Sequence, residues 1–317
     1  MAQQRLKDFA YYATGGTCDA LYEPRSIADL QAAVRAINAA GQRYFLLGGG
    51  TNSLVLDEHF PGAVIVFKHL SELRCDAAKI TCGAGVENSA VARLALDRGL
   101  AGAAWMYRLP GQIGGTVRMN ARCYGGEISQ IVRKVTVVTR EGEIKIYVNP
   151  RQVFRGYKDT LFMDNGDLVA GCEMQLLPNG DKAAIEAQML FCEKDRESKG
   201  QFTHPSCGCV FKNDYAVGVS SGVLLDKAGA KDLKSGGAGV SPSHANFVFN
   251  KGATSRDVLE VSFAMRERVY QMFGAWLEYE MEVLGELPPD LKARVREKRP
   301  HRLDDEQLAP LRKMFKS

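Results

Sequence analysis

The sequence lacks the residue spacings of a metal site or a disulfide framework. It has eight cysteines and five histidines in 317 residues, but no Cys-x-x-Cys pair, and the histidines are dispersed. Structural zinc sites need four ligands at short, characteristic spacings, and disulfide frameworks belong to short secreted domains. We therefore expect no metal, and most cysteines should be small buried side chains in a reducing compartment. They are Cys18, Cys75, Cys82, Cys123, Cys172, Cys192, Cys207 and Cys209.

Long apolar runs and concentrated charge are also missing. No stretch of 18 apolar residues occurs, and the N-terminus has no apolar core of signal-peptide length. The net charge is +4, and the basic residues are scattered apart from a cluster at 292–302. We therefore predict a cytoplasmic protein with no membrane or nucleic-acid partner, because nucleic-acid binding needs Lys and Arg concentrated on one face. A small anionic ligand such as a nucleotide is compatible with this balance.

What is present is a mixture of helix and strand signals. The chain is 45% hydrophobic and 25% charged, which allows a sizeable core, and its length suits two or three domains. We place a domain boundary near residues 196–203. Apolar periodicity and capping residues predict helices at 24–42, 87–100, 182–200 and 254–274, strands at 43–47, 62–68, 79–85, 167–177, 246–250 and 276–286, and a hairpin at 132–147. The pattern predicts an α+β protein.

The segment from residue 287 onward is charged and punctuated by proline. We interpret it as a surface tail with one or two short helices outside the core.

Two glycine-rich motifs indicate a ligand. LLGGGTNSLV (46–55) follows an apolar strand, and its backbone N–H groups could surround a pyrophosphate. The alternative is a tight turn of no function, about equally favoured for one such motif. RLPGQIGGTVRMNARCYGGE (108–127) has little bulk around Pro110 and Asn120, so a flat ring could lie against its backbone. Its alternative is a glycine-rich loop that fills space between domains.

HPSCGCVFKN (204–213) places two thiols on either side of one glycine. A metal site lacks the further ligands it would need. A redox pair and a catalytic thiol both remain open for Cys207 and Cys209.

Six motifs together resemble the UDP-N-acetylenolpyruvoylglucosamine reductase family. They occur in the family's order and at similar intervals: LGGGTNSLV, LPGQIGGTVRMNARCYGGE, GYKDT, PSCGCVFKN, HANFVFN and LEYEMEVLG. The resemblance runs from about Tyr12 to Gly285. It looks like the shorter of the family's two forms, because the chain between GYKDT and PSCGC is compact and lacks the extra substrate-covering loop.

The resemblance implies a two-subdomain FAD-binding fold of the vanillyl-alcohol-oxidase type, followed by an α+β substrate-binding domain. The implied divisions are FAD-binding subdomains at 1–75 and 76–200, a substrate domain at 201–286 and the charged tail at 287–317. FAD would be held noncovalently. The implied contacts are Leu47, Gly48, Gly49, Gly50, Thr51, Asn52 and Ser53 at the pyrophosphate, and Pro110, Gly111, Ile113, Gly114, Gly115, Thr116 and Asn120 at the flavin ring.

The implied reaction is the NADPH-dependent reduction of UDP-N-acetylglucosamine enolpyruvate to UDP-N-acetylmuramate, for peptidoglycan. Cys209 stands where the family commonly has a serine proton donor. A thiol can serve, since its ordinary pKa of about 8.5 leaves it protonated near neutrality. Glu280 matches a catalytic glutamate, and Lys158 stands where arginine is usual. Tyr157, Lys212 and Asn213 match substrate-binding positions.

Departures from the family pattern keep alternatives open. Arg122 replaces a small residue, and Lys158 keeps the charge of arginine without its bidentate fork. Together with Cys209, they would suit a paralogue, such as a flavin oxidase with another substrate. A flavin- or UDP-sugar-binding protein without turnover is a further alternative, disfavoured because a binder needs no proton donor.

Overall fold

The computed structural model describes residues 5–314. The chain separates into two compact units. One unit, called the five-stranded unit after its larger sheet, comprises Cys18–Gly49 and Pro61–Arg196. The other, the C-terminal unit, comprises Met1–Thr17, Gly50–Phe60 and Glu197–Ser317. Within residues 5–314, no helix is long and apolar enough to cross a membrane. The same residues contain no group of three or more His, Cys, Asp or Glu arranged to hold a metal ion.

Strands and helices alternate irregularly along the chain. The strands are β1 (Cys18–Tyr22), β2 (Tyr44–Leu47), β3 (Ser53–Val55), β4 (Phe60–Val66), β5 (Leu73–Asp76), β6 (Lys79–Gly83), β7 (Arg122–Cys123), β8 (Gly126–Glu127), β9 (Val132–Val138), β10 (Ile144–Val148), β11 (Phe154–Gly156), β12 (Asp159–Thr160), β13 (Leu168–Gln175), β14 (Lys234–Ser235), β15 (Ala238–Val240), β16 (Val248–Asn250) and β17 (Glu282–Leu284). The helices are α1 (Ile27–Ala39), α2 (Asn88–Asp97), α3 (Ile113–Arg118), α4 (Ile128–Ile131), α5 (Leu161–Asp164), α6 (Lys182–Ser198), α7 (Ser221–Lys227), α8 (Ser255–Phe273), α9 (Pro289–Arg296) and α10 (Asp305–Met314).

The five-stranded unit is built on two sheets. One has the order β1-β4-β2, with β2 and β4 parallel. Helix α1 starts at the predicted cap: Ser26 and Asp29 form a capping box, which satisfies backbone N–H groups that a helix start leaves unpaired. The other sheet has the order β10-β9-β13-β6-β5. The predicted hairpin is present as β9 and β10, with Gly142 in the left-handed region of its turn.

The C-terminal unit surrounds a long helix. Helix α8 is capped by Thr254, as the predicted helix over 254–274 requires, and ends at Gly274 with φ of +64°. The sheet β14-β15-β16 and the parallel pair β3/β17 complete the unit. Tyr12 is fully buried in this core and donates a hydrogen bond from its hydroxyl to the carbonyl of Val248.

Two sequence predictions need correction in this unit. The strand predicted over 276–286 is only β17, with an isolated bridge at Tyr279, because the chain from 274 to 280 follows irregular backbone. The prediction that the segment after residue 287 lies outside the core is wrong. It does form two helices, α9 and α10, but Leu291, Leu308 and Leu311 are buried in the core. Its few apolar residues share one side, and charge covers the other.

Candidate active site and cofactor-binding residues

The three glycines of LLGGG follow β2 directly. Leu47, the last residue of β2, is fully buried, and its carbonyl accepts a hydrogen bond from Phe67. A Cβ at Gly48 would lie 3.6 Å from Oε1 of Gln112, so this turn and the second glycine-rich motif meet within the five-stranded unit. Gly50 begins the segment of the C-terminal unit, with φ of +63°. A Cβ there would lie 2.6 Å from Cα of Ala10, which only glycine permits.

The second glycine-rich motif is fixed on the chain that follows β6. Helix α3 begins with two backbone hydrogen bonds, from Ile113 to Val86 and from Gly114 to Ala84. A Cβ at Gly114 would lie 2.8 Å from Cβ of Ala84, so the glycine is required for this approach. Thr116 donates to Oδ1 of Asn88 at 2.8 Å, which ties α3 to the start of α2. The backbone of residues 113–116 is therefore rigidly placed.

Two acceptor oxygens of this motif are buried without a hydrogen-bond partner among residues 5–314. They are Oε1 of Gln112 and Oδ1 of Asn120. Buried acceptors are normally paired, so such atoms indicate a polar ligand. A Cβ at Gly115 would meet nothing within 4 Å. These residues fit a polar, flat group such as the flavin of FAD, with Gln112 and Asn120 available to accept its N–H groups.

Tyr157 and Lys158 form the two-residue turn between β11 and β12. Lys158 has φ of +54°, a left-handed conformation that is strained for lysine, and its side chain is only 9% exposed. Asn120 supports the turn by donating from Nδ2 to the carbonyl of Gly156 at 2.9 Å. The guanidinium of Arg122 lies 4.8 Å from the ring centre of Tyr157. The turn thus places the ammonium of Lys158 in a buried position, and contacts from Asn120 and Arg122 hold the turn.

A thiol that the sequence analysis did not select lies in the same unit. Cys123 accepts a hydrogen bond from Nη2 of Arg196 at 3.2 Å. Burial raises the pKa of the Cys123 thiol, while Arg196 and the charge of Lys158 oppose that increase. Arg196 is itself 5% exposed and stacks on Tyr124. Arg196 continues the buried side of α6 formed by Ile185, Met189 and Cys192, so the helical spacing signals its burial, while its partner Cys123 lies too far along the chain to be predicted.

The CGC turn lies in the C-terminal unit. Gly208, with φ of +74°, reverses the chain between the two cysteines. Cys207 points into the core and is 2% exposed, and burial raises the pKa of its thiol well above the ordinary value. Cys209 is partly exposed and forms a bridge with Phe247. The buried Cys207 is therefore a packing thiol, and Cys209 is the one that a ligand can reach.

Glu280 lies beside Cys209 within this unit. The backbone N–H of Glu280 donates to the carbonyl of Val210, the residue after Cys209, at 2.9 Å. Asn52 donates from Nδ2 to the carbonyl of Glu280 at 3.0 Å and accepts from the N–H of Glu282 at 2.9 Å. One predicted cofactor contact, Asn52, thus also holds the segment that carries the predicted catalytic glutamate.

Lys212 and Asn213 follow Cys209 along the chain. The N–H of Lys212 donates to the carbonyl of Glu278 at 2.9 Å. Oδ1 of Asn213 accepts from the N–H of Ser221 at 2.9 Å, at the start of α7. Asn213 therefore has a structural bond, and its amide N–H₂ is what it can offer a ligand. Of the predicted residues, Cys209, Glu280, Asn52, Lys212 and Asn213 belong to the C-terminal unit, and Tyr157 and Lys158 to the five-stranded unit.

Comparisons with known proteins match two parts of the chain. Residues 18–146 match a family model described as an FAD binding domain, and residues 200–284 match the C-terminal domain of UDP-N-acetylenolpyruvoylglucosamine reductase. The predicted fold, an FAD-binding domain followed by a second α+β domain, is confirmed.

Proteins of the same name are similar to this chain over nearly their whole length. A UDP-N-acetylenolpyruvoylglucosamine reductase of Lactobacillus delbrueckii subsp. bulgaricus is 33% identical over 89% of this chain and 94% of its own. One from Clostridium beijerinckii is 33% identical over 89% and 92%, respectively. The crystal structure of the reductase from Thermus caldophilus matches with a TM-score of 0.74 and 31% identity, over 89% of this chain and 97% of that one.

Proposed function

Because the chain belongs to the UDP-N-acetylenolpyruvoylglucosamine reductase family and is an FAD-dependent oxidoreductase, we propose that it reduces UDP-N-acetylglucosamine enolpyruvate to UDP-N-acetylmuramate. NADPH would be the electron donor, and the product would enter peptidoglycan synthesis. The observation that carries the proposal is the backbone hydrogen bond from Glu280 to Val210, the residue after Cys209, in a domain matched to the family. When bound, FAD supplies the hydride for the enolpyruvyl double bond.

Cys209 donates the proton in this proposal. Hydride addition to the terminal carbon leaves negative charge on the carbon that bears the carboxylate, and that carbon must be protonated. The Cys209 Sγ–H is partly exposed, beside the buried Cys207, at a turn fixed by backbone hydrogen bonds. The thiol gives its proton to that carbon and is restored by a proton from solvent.

Glu280 and Lys158 act on the charge that develops in the substrate during the proposed reaction. Glu280, placed by its bonds to Val210 and Asn52, polarises the substrate or helps to relay the proton to Cys209. Lys158 holds the enolpyruvyl carboxylate and stabilises the enolate, because a buried ammonium interacts strongly with a developing anion. Tyr157, Lys212 and Asn213 contact the substrate.

The FAD would be held noncovalently by the residues of the two glycine-rich motifs. Leu47 to Ser53 surround the pyrophosphate, and Pro110 to Asn120 line the flavin, where Gln112 and Asn120 have buried acceptors to offer. The subdivision into 1–75, 76–200, 201–286 and 287–317 stays a prediction, as does the cytoplasmic location.

An anaerobic flavin titration tests the reaction. The purified protein is bleached with NADPH, UDP-N-acetylglucosamine enolpyruvate is added, and the flavin absorbance is followed. Rapid return of the oxidised spectrum, with formation of UDP-N-acetylmuramate, supports the proposal. NADH in place of NADPH tests the choice of donor.

A flavin that stays bleached until air is admitted would contradict the proposal. It would favour an oxidase on the same fold. A changed substrate would then be sought first at Arg122, which stacks on Tyr157, and at Lys158, which directly follows Tyr157. A colourless protein that takes up no added FAD would contradict both readings.

A further inference from the structure

The C-terminal extension, residues 286–314, packs closely on the C-terminal unit. It lies beyond residue 284, where the match to the family's C-terminal domain ends. Leu291, Leu308 and Leu311 enter the core, and Arg312 donates from Nε to the carbonyl of Val217 at 2.8 Å. The extension is therefore an integrated part of this unit.

Its contacts lie on α8 and on the residues that precede Glu280. Trp276 donates from Nε1 to the carbonyl of Glu297 at 3.1 Å. The buried guanidinium of Arg266 lies 4.2 Å from the ring centre of Trp276 and 4.9 Å from that of Tyr279, and it donates to the carbonyl of Arg294. The extension thus contacts Trp276 directly, and Arg266 of α8 lies between the extension and Tyr279.

His301 contacts two segments at once. Its Nδ1 accepts from the backbone N–H of Trp276 at 3.3 Å, and its Nε2 lies 3.0 Å from Oδ2 of Asp214. An imidazole that accepts at Nδ1 carries its proton on Nε2, so Nε2–H donates to Asp214. The other oxygen of Asp214 accepts from the N–H of Ala216 at 2.8 Å. His301 therefore joins a fixed turn at 214–216 to the chain at 276.

These two segments carry the groups of the proposed reaction. Asp214 directly follows Lys212 and Asn213, and Trp276 leads through Tyr279 to Glu280. The two segments pair along their length: Lys212 bonds to Glu278, Phe211 bridges Tyr279, and Glu280 bonds to Val210, next to Cys209. His301 closes the far end of this pairing.

We propose that His301 is a positioning residue for the proton-transfer step. It holds the register between segments 210–214 and 276–280, and so keeps Glu280 beside Cys209. This inference rests on the proposed function. His301 does not touch the reacting groups, and it acts through Asp214 and Trp276.

Three variants at one position test the proposal. His301→Ala removes both bonds, His301→Asn keeps an acceptor for Trp276, and His301→Gln keeps a donor for Asp214. We expect His301→Ala to slow anaerobic reoxidation of the reduced flavin by UDP-N-acetylglucosamine enolpyruvate by about tenfold, the scale of losing a hydrogen bond or two. The asparagine and glutamine variants should each recover part of this rate. Flavin reduction by NADPH should stay within about twofold of wild type in all three.

Asp290→Asn is the matched control. It removes an ion pair between the extension and α8, Asp290 to Arg256 at 2.9 Å, but touches neither segment. It should leave both rates unchanged. Hydrogen exchange supplies a readout besides activity: amides of 210–214 and 276–281 should exchange faster in His301→Ala than in Asp290→Asn, while those of α8 stay as protected as in wild type.

Two results would overturn the inference alone. One is a wild-type reoxidation rate in His301→Ala. The other is equal slowing by Asp290→Asn, which would mean that the extension only stabilises the fold. If the wild-type flavin is not reoxidised by the substrate, the proposed function fails and this inference fails with it. The exchange data remain readable if His301→Ala loses stability, because the asparagine and glutamine variants keep one bond each.

Discussion

Two turns carry the proposed chemistry, and they are built in opposite ways. In the CGC turn, the left-handed residue is Gly208, and the proposed proton donor Cys209 follows it in a bridge to Phe247. In the Tyr157–Lys158 turn, the left-handed residue is Lys158 itself. Glycine adopts this conformation without penalty, whereas a residue with a Cβ is strained by roughly 1–2 kcal/mol. In the first turn, Gly208 adopts the left-handed conformation and Cys209 has the proposed chemical role. In the second turn, Lys158 does both.

The supports of the two turns differ accordingly. Cys209 and its neighbours are held by backbone hydrogen bonds to residues 246 and 280. Lys158 is held by side chains, through Asn120 on Gly156 and Arg122 on Tyr157. Substitution of Cys209 should therefore change chemistry alone. Substitution of Lys158 or its neighbours should change both the chemistry and the stability of the turn.

The largest expected effect is that of Cys209→Ala. It should slow reoxidation of the flavin by substrate roughly 10²–10⁴-fold, the usual loss on removing a general acid. Flavin reduction by NADPH and the midpoint of urea unfolding should stay close to wild type, because the turn is fixed by backbone bonds. Stopped-flow absorbance measures both rates. Cys209→Ser should recover part of the loss, and a wild-type rate in Cys209→Ala would remove Cys209 as the proton donor.

Substitution of Lys158 should change both the rate of flavin reoxidation and the stability of the protein. Lys158→Ala and Lys158→Gly should both lose roughly 10²–10³-fold in the same rate, as for removal of a group that stabilises an anion. Their stabilities should diverge. Lys158→Gly should unfold with a free energy about 1 kcal/mol above that of Lys158→Ala, because glycine relieves the left-handed strain. Equal urea midpoints for the two variants would mean that the turn relaxes without strain.

Gly208→Ala introduces into the CGC turn the left-handed strain that Lys158→Gly removes from the other turn. A Cβ at Gly208 would meet nothing within 4 Å, so only its φ of +74° opposes the substitution. We expect a loss of about 1 kcal/mol in the free energy of unfolding. Gly115→Ala, measured on protein freed of FAD because Gly115 is a proposed flavin contact, is the matched control: its Cβ also meets nothing within 4 Å, but the residue lies in α3 without a positive φ. The control should be as stable as wild type or up to about 1 kcal/mol more stable. If both lose stability equally in urea unfolding, space and not φ would be the cause.

The sequence predicted the parts of the molecule that local rules decide. Ser26 and Thr254 start helices because each has an aspartate three residues later that completes a capping box. Glycine-rich stretches predicted close approaches, and Gly50 and Gly114 make them. The left-handed Lys158 could not be predicted, because lysine disfavours that conformation and only the contacts around Gly156 and Tyr157 impose it. Arg196 and His301 were missed for the same reason: their roles depend on residues more than 20 positions away.

The C-terminal extension shows why composition misled. A segment with many charges is typical of a solvated tail, but a short helix needs apolar residues on only one face to pack against a core. Leu291, Leu308 and Leu311 are enough to enter the core, and charged neighbours such as Arg294 pair with α8 at its surface. The count of charges did not carry this information. The spacing of the few leucines did.

The smallest expected effect is that of Arg122→Ala, and it bears most directly on how the Lys158 turn is supported. Arg122 lies over Tyr157 and 3.9 Å from Glu127, at a side-chain exposure of 41%. A partly exposed cation–π contact is worth about 0.5–1 kcal/mol. If it orders the turn, its loss should raise the KM for the enolpyruvyl sugar about two- to fivefold while leaving flavin reduction unchanged. Arg93→Ala is the matched control, because Arg93 lies 5.3 Å from the ring centre of Tyr107 in the same unit, in a contact of the same type. Should Arg93→Ala raise KM equally, the effect would be a general loss of stability. A change confined to Arg122→Ala would show that this turn, unlike the one at Gly208, depends on side chains for the placement of its charge.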